Sequence, residues 1–262
     1  MLRSAVSRRT SLFGGLIFFS TAPRAMDGGG GLAALPPLRD ADQRLYLIRH
    51  GETDWNVENR IQGSTDNPLN GHGLAQADAL SKYLASESFD IITSSSLKRA
   101  AMTADAIAKR HPEASRLAPK AEFVEMCFGD LEGKTLTDID AEYKSYVASW
   151  RSGDNDRAWP GPNGESPNIV ASRGLAGLES LGVLKPPLSE TPAPGRRVLV
   201  VAHGRFNKIL MAALNGDVSK ASDVQQGNCC INVMDISPDG TVVPLVTDLR
   251  EHLAAVTPKV LA

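Results

Sequence analysis

Apolar residues along the chain fall into short blocks of two kinds, separated by polar turns. Arg44–Ile48 (RLYLI), Phe89–Thr93 (FDIIT) and Val198–Ala202 (VLVVA) are brief runs that predict strands, and the last is apolar throughout, as a strand covered on both faces must be. Ala77, Leu80 and Leu84 recur at helical spacing, as do Ala100, Thr103, Ala104 and Ile107 in a segment stopped by Pro112; Phe206–Leu214 is a third helical run. Strand, polar turn and helix repeated in order predict an α/β domain with a largely parallel central sheet, whose ligands bind outside the carboxyl ends of the strands. Arg49 and His50 follow the first of these strands and His203 follows the third, so both groups lie where chemistry is expected.

Two stretches rich in turn formers interrupt the rhythm: Ser152–Pro167 reads as a lid or substrate loop, and Lys185–Arg196 as a surface connection. No internal repeat or second core is evident, so residues 44–262 are expected to form one domain. Before it, Gly28–Gly31 and Leu35–Pro37 predict a flexible linker over residues 27–43. Residues 1–26 hold Arg3, Arg8, Arg9 and Arg24 among hydroxyl residues and no acid, the composition of a targeting peptide. A transit peptide for an organelle, chloroplast or mitochondrion, is the preferred reading; export through a twin-arginine signal at Arg8-Arg9 and a cytoplasmic location are the alternatives.

Composition narrows the partners. With 28 basic and 30 acidic residues the net charge is -2, and no overall basic field exists to hold a nucleic-acid backbone. The apolar run Leu12–Phe19 is well short of the ~20 residues that span a bilayer, so no membrane partner is expected. Three cysteines, Cys127, Cys229 and Cys230, lack the spacing of a zinc site or a disulfide framework. Cys229 and Cys230 are expected in a core strand, and His72, His111 and His252 in structural or surface roles.

The specific signal is Leu47-Ile48-Arg49-His50-Gly51-Glu52-Thr53, an imidazole beside a guanidinium directly after a buried strand. Trp55-Asn56, Arg60-Ile61-Gln62-Gly63, Asp66-Asn67-Pro68-Leu69-Asn70 and Ser94-Ser95-Ser96-Leu97-Lys98-Arg99-Ala100 with Thr103-Ala104 follow it. Then come Glu125 with Phe128-Gly129-Asp130-Leu131-Glu132-Gly133, Gly164-Glu165-Ser166 and Ala202-His203-Gly204. This ordered set resembles the histidine phosphatase superfamily, also called phosphoglycerate mutase-like, from about Arg44 to about Leu253. The resemblance implies a three-layer α/β/α sandwich with a mostly parallel sheet and a phosphoric monoester hydrolase.

The residue types suit that chemistry. Phosphoryl transfer needs an in-line nucleophile, donors for the non-bridging oxygens and a proton for the departing alcohol. His50 is the candidate nucleophile, because nearby Arg49 and Arg99 disfavour its protonation. Arg49, Arg60 and Arg99 offer forked donors to phosphate oxygens, His203 would complete the oxyanion cage, and Gly51 and Gly204 would let backbone approach the phosphate. The resemblance further implies that Glu125 is the proton donor and that Asn56, Gln62 and Gly63 belong to the phosphate pocket. No metal and no cofactor are called for, since the arginines supply the positive charge.

Two departures from the family pattern stand out: Cys127 and Leu131 make the expected pocket rim less polar and less aromatic, and Arg205 stands where relatives have a small residue. Arg205 reads either as a site for a second anionic group or as a solvent-facing side chain. The preferred function is a metal-independent phosphatase acting on a small phosphomonoester through a phosphohistidine on His50. A cofactor-dependent phosphoglycerate mutase and a non-catalytic phosphate-binding protein are the alternatives; Val124–Asp130 is closer to the phosphatase branch. The substrate is left open, as is assembly into a homodimer.

Overall fold

The computed structural model describes residues 31–184 and 195–256. The expected targeting peptide, the first part of the linker and most of the connection 185–196 lie outside them. One six-stranded sheet organises the chain: β1 (Gln43–Arg49), β2 (Ile91–Ser94), β3 (Ser115–Arg116), β4 (Arg197–Ala202), β5 (Ile231–Ile236) and β6 (Val242–Leu249), in the order β3-β2-β4-β1-β5-β6. The pairs β3/β2, β2/β4 and β4/β1 are parallel, whereas β5 runs antiparallel to both β1 and β6. The sheet is therefore mostly parallel, with one reversed strand.

Side-chain alternation on the two central strands separates the core into two layers. Leu45, Leu47, Val198, Val200 and Ala202 join the cluster that holds Phe206 and Leu210, while Tyr46, Ile48, Leu199 and Val201 join the one that holds Leu80, Ala100 and Ile107. Helices α5 (Pro167–Ser180) and α6 (Gly204–Leu214) cover the first face; α2 (Gly71–Tyr83) and α3 (Lys98–Ala108) cover the second. This three-layer α/β/α arrangement explains why β1 and β4 are apolar on both sides. Two further helices are α1 (Asp54–Val57), closed by a Thr53/Asn56 capping box, and α4 (Asp140–Arg151).

The structure corrects the expected boundaries in three places. The fold starts before Arg44: Leu32 is buried, its N–H donates to the Tyr83 hydroxyl, and the Pro36 carbonyl accepts from Arg44 at 2.8 Å. Residues 31–43 are thus packed on the body rather than a free linker. Helix α6 begins at Gly204, immediately after His203, instead of at Phe206. Cys229 and Cys230 are buried as expected but precede β5 instead of lying in it, and burial raises the pKa of both thiols, that of Cys230 to about 12.

Candidate active site

The carboxyl ends of β1 and β4 lie side by side, with Arg49 in register with Ala202, and this brings His50 and His203 together. Their ring centroids are 5.2 Å apart, and both side chains are buried. The His50 Nδ1 lies 2.6 Å from the Gly51 carbonyl. A carbonyl oxygen only accepts, so Nδ1 carries the proton and Nε2 presents its lone pair. Burial, then the charges of Arg99 and Arg49, hold the His50 pKa well below that of a free imidazole. The His203 pKa is depressed in the same way, by burial first and then by Arg99.

The two arginines are fixed by backbone carbonyls rather than by acids. Arg49 donates from Nη1 to Gln226 O at 2.7 Å; Arg99 donates from Nη1 to Thr65 O at 2.7 Å and from Nη2 to Gly63 O at 2.8 Å. Both keep a buried Nε with no partner among the described residues, as do both ring nitrogens of His203. Buried donors are rarely left this way, and such a cluster suits a tetrahedral anion. Burial lowers the pKa of Arg99 to about 10, which leaves it cationic at neutral pH.

Glu125 reaches the site from the loop before the Gly129–Leu131 turn and caps α6 from outside that helix. Its Oε1 accepts from the N–H groups of Met126 and Phe206, both at 2.8 Å, and its Oε2 from that of Arg205 at 3.0 Å. A carboxylate at a helix N-terminus is well placed against the helix dipole. Asn56 uses its Oδ1 to accept from Thr53 N and from Asn228, which leaves its amide nitrogen available to a ligand. Gln62 is buried with Oε1 unpartnered, and Gly63 contributes through the carbonyl that holds Arg99.

Some expectations need correction. Arg60 pairs with Glu58 at 2.8 Å and donates to the Gly133 carbonyl, and no contact among the described residues joins it to His50, His203, Arg49 or Arg99. The cage holds two arginines, not three, because a local carboxylate claims the third. Gly51 is required for packing, since a Cβ there would meet the Gly73 carbonyl of α2 at 2.6 Å. Leu131 is core rather than rim. Arg205 takes neither expected course outright, since its guanidinium rests on the Tyr143 and Trp150 rings.

Several positioning contacts are not readable along the sequence. Thr103 Oγ1 accepts from Gly51 N at 3.1 Å and donates to Arg99 O at 2.8 Å, tying the loop after β1 to α3. Asn228 donates to the His50 carbonyl at 3.2 Å. Behind Glu125, Arg173 pairs with Glu165 at 2.8 Å and donates to the carbonyls of Glu122, Val124 and Glu125. Only Glu165, inside the Gly164-Glu165-Ser166 motif, gave any sequence signal for this brace. Among the described residues no three His, Cys, Asp or Glu side chains converge as a metal site, and no helix is long and apolar enough to cross a membrane.

Comparison with known proteins agrees with this geometry. The profile of the histidine phosphatase superfamily (branch 1) matches residues 45–249. Glucosyl-3-phosphoglycerate phosphatase of Mycobacterium tuberculosis is 35% identical over 172 residues, 66% of this chain and 75% of its own. Metal-independent phosphoserine phosphatase of Arabidopsis thaliana is 32% identical over 217 residues, 81% of this chain and 84% of its own. A probable phosphoglycerate mutase of Proteus mirabilis is 32% identical over 193 residues, 73% and 84% of the two chains. The solved phosphoserine phosphatase of Entamoeba histolytica, bound to phosphoserine, superposes with a TM-score of 0.65 at 28% identity, covering 80% of this chain and 99% of that one. With two histidines at adjacent strand ends, two arginines and a glutamate around them, and a match across most of its length, the chain belongs to the histidine phosphatase superfamily and is a phosphoric monoester hydrolase.

Proposed function

We propose that the protein is a metal-independent phosphatase that hydrolyses a small phosphomonoester through a phosphohistidine on His50. The observation that carries this reading is the short contact between His50 Nδ1 and the Gly51 carbonyl, which leaves Nε2 as a free nucleophile. The Nε2 lone pair attacks phosphorus as the bond to the ester oxygen breaks, and Arg49, Arg99 and His203 receive the non-bridging oxygens. A carboxyl group offers roughly four acceptor directions, and backbone N–H groups fill three on Glu125. The remaining one, on Oε2, is the place for proton transfer. There Glu125 gives its proton to the departing alkoxide, then takes one from the water whose oxygen bonds to phosphorus as the phosphorus–nitrogen bond breaks, releasing phosphate and restoring neutral His50.

The test is phosphate release from a panel of phosphomonoesters in EDTA, beside His50→Ala, with a parallel search for label on the protein. Turnover in EDTA with acid-labile, base-stable phosphate on the wild type, both absent from the variant, is the expected result. Isomerisation of 3-phosphoglycerate in the presence of 2,3-bisphosphoglycerate, without net hydrolysis, would move the assignment to a mutase. Reversible phosphate binding with neither turnover nor label would leave a binding protein.

A further inference from the structure

Arg205 is the second residue of α6, and its side chain crosses from the site to α4. Its backbone N–H is bound to Glu125 Oε2 at 3.0 Å, while Nη2 donates to the Tyr143 hydroxyl. The guanidinium carbon lies 5.5 Å from the centre of the Tyr143 ring and 5.9 Å from that of Trp150. Those rings are themselves braced: Tyr143 stacks on Trp159 at 5.7 Å, and Trp150 meets Trp159 edge-on at 5.0 Å. An arginine held in this way is oriented before any ligand arrives.

Its charge meets an opposite one only through space, in Glu125. Among the described residues no carboxylate forms an ion pair with Arg205, and the oxygens of the nearby Glu125 accept from backbone N–H groups instead. Lys208, one turn further along α6, is half-buried and also has no ion pair or hydrogen bond among the described residues. Burial lowers the Lys208 pKa, repulsion from Arg205 and Arg49 adds to it, and the Asp248 carboxylate opposes it. Unpaired, partly desolvated cations are costly unless a ligand supplies the anion. The Arg205 backbone is bonded to Glu125 Oε2, the oxygen assigned above to the leaving alcohol, which puts this cation on the leaving-group side of the site.

We infer that Arg205, with the Tyr143 hydroxyl, is a specificity subsite for a carboxylate on the leaving alcohol, so that the substrates are phosphomonoesters of small hydroxy acids. The inference rests on the phosphatase reading above and names its substrate class. A planar guanidinium matches a carboxylate through two parallel N–H bonds, and a phenol hydroxyl beside it adds a third donor.

The experiment compares substrates that differ only in that group: O-phospho-L-serine against O-phosphoethanolamine, and 3-phosphoglycerate against glycerol 3-phosphate, with p-nitrophenyl phosphate as a reference. Wild type is expected to favour the carboxylated member of each pair by about 10- to 100-fold in kcat/KM, the size of a charged hydrogen-bond contribution. Arg205→Gln should bring that ratio close to one, Tyr143→Phe should lower it in part, and Arg205→Lys should restore only part of it. Equal kcat/KM within each wild-type pair, while p-nitrophenyl phosphate is hydrolysed in EDTA, would overturn the subsite and leave the phosphatase standing. Calorimetric binding of the same pairs to His50→Ala reads the subsite without turnover. Preference for the carboxylated member there, lost in His50→Ala/Arg205→Gln, would uphold it even if hydrolysis failed, and equal affinities would overturn it.

Discussion

At the scale of single residues, the site divides work between groups whose roles are fixed by what they touch. In the mechanism proposed above, His50 serves as nucleophile because a carbonyl occupies its other nitrogen, and Glu125 as proton carrier because one acceptor direction is left open. Glu125→Gln is therefore expected to lower kcat on alkyl phosphates by about 100- to 10,000-fold. The loss should be much smaller for phosphorylation by p-nitrophenyl phosphate, whose leaving group departs without a proton; equal losses on both would remove Glu125 from the role of proton donor. That His50, His203, Arg49, Arg99 and Glu125 gather in one place was legible in the sequence, because each stands in one of the ordered motifs. Arg60 was misread, since nothing along the chain reveals that Glu58, two positions away, claims its guanidinium. Asn228 gave no signal, and Thr103 stood in the motif of Arg99 without a role, because what each contributes is a hydrogen bond to a backbone far away in sequence.

At the scale of elements, position depends on braces between segments far apart in sequence. Arg173, on α5, holds the carbonyls of Glu122, Val124 and Glu125 together with the Glu165 carboxylate, and so sets the path of the backbone that carries Glu125. Arg173→Ala is expected to cost about 3 kcal/mol in urea unfolding, the scale for breaking a largely buried ion pair, and to lower kcat more than it raises KM. Arg173→Lys should recover little of either, because an ammonium cannot reach both sides of the fork. An unchanged kcat in Arg173→Lys would show that Glu125 keeps its place without the brace. Strands β1 and β4 were readable because burial on both faces makes them continuously apolar. Helix α4 was overlooked although Tyr143, Tyr146, Val147 and Trp150 have helical spacing, because its other face is charged and a turn-rich stretch follows. Strand β6 was hidden by Pro244, which an edge strand tolerates and a central one does not.

At the scale of the whole molecule, three histidines couple stability to pH. Burial holds His50 and His203 well below the free value of 6.5, and lowers His252, which is bonded to the Cys229 carbonyl, to about 4. Their folded pKa values are depressed, so below about pH 6.5 the unfolded chain binds more protons than the folded one. Stability should be full above that point and fall as pH drops towards 4. Urea midpoints measured from about pH 7.5 to 4.5 should decline from near 6.5 downward. A midpoint that is flat to about pH 5 would show these rings ionising freely inside the fold. The sheet order has a consequence for how the molecule is made. Both neighbours of β1, β4 and β5, come from the last third of the chain, and β4 enters between β1 and β2. While the ribosome is still adding the intervening residues, the strand that carries His50 has neither neighbour, and its apolar faces and hydrogen-bonding edges need protection, by a chaperone or by loose collapse onto the early helices. The two histidines can meet only once the second has been translated and its strand slotted home, so a prematurely terminated product carries no more than half of this pair.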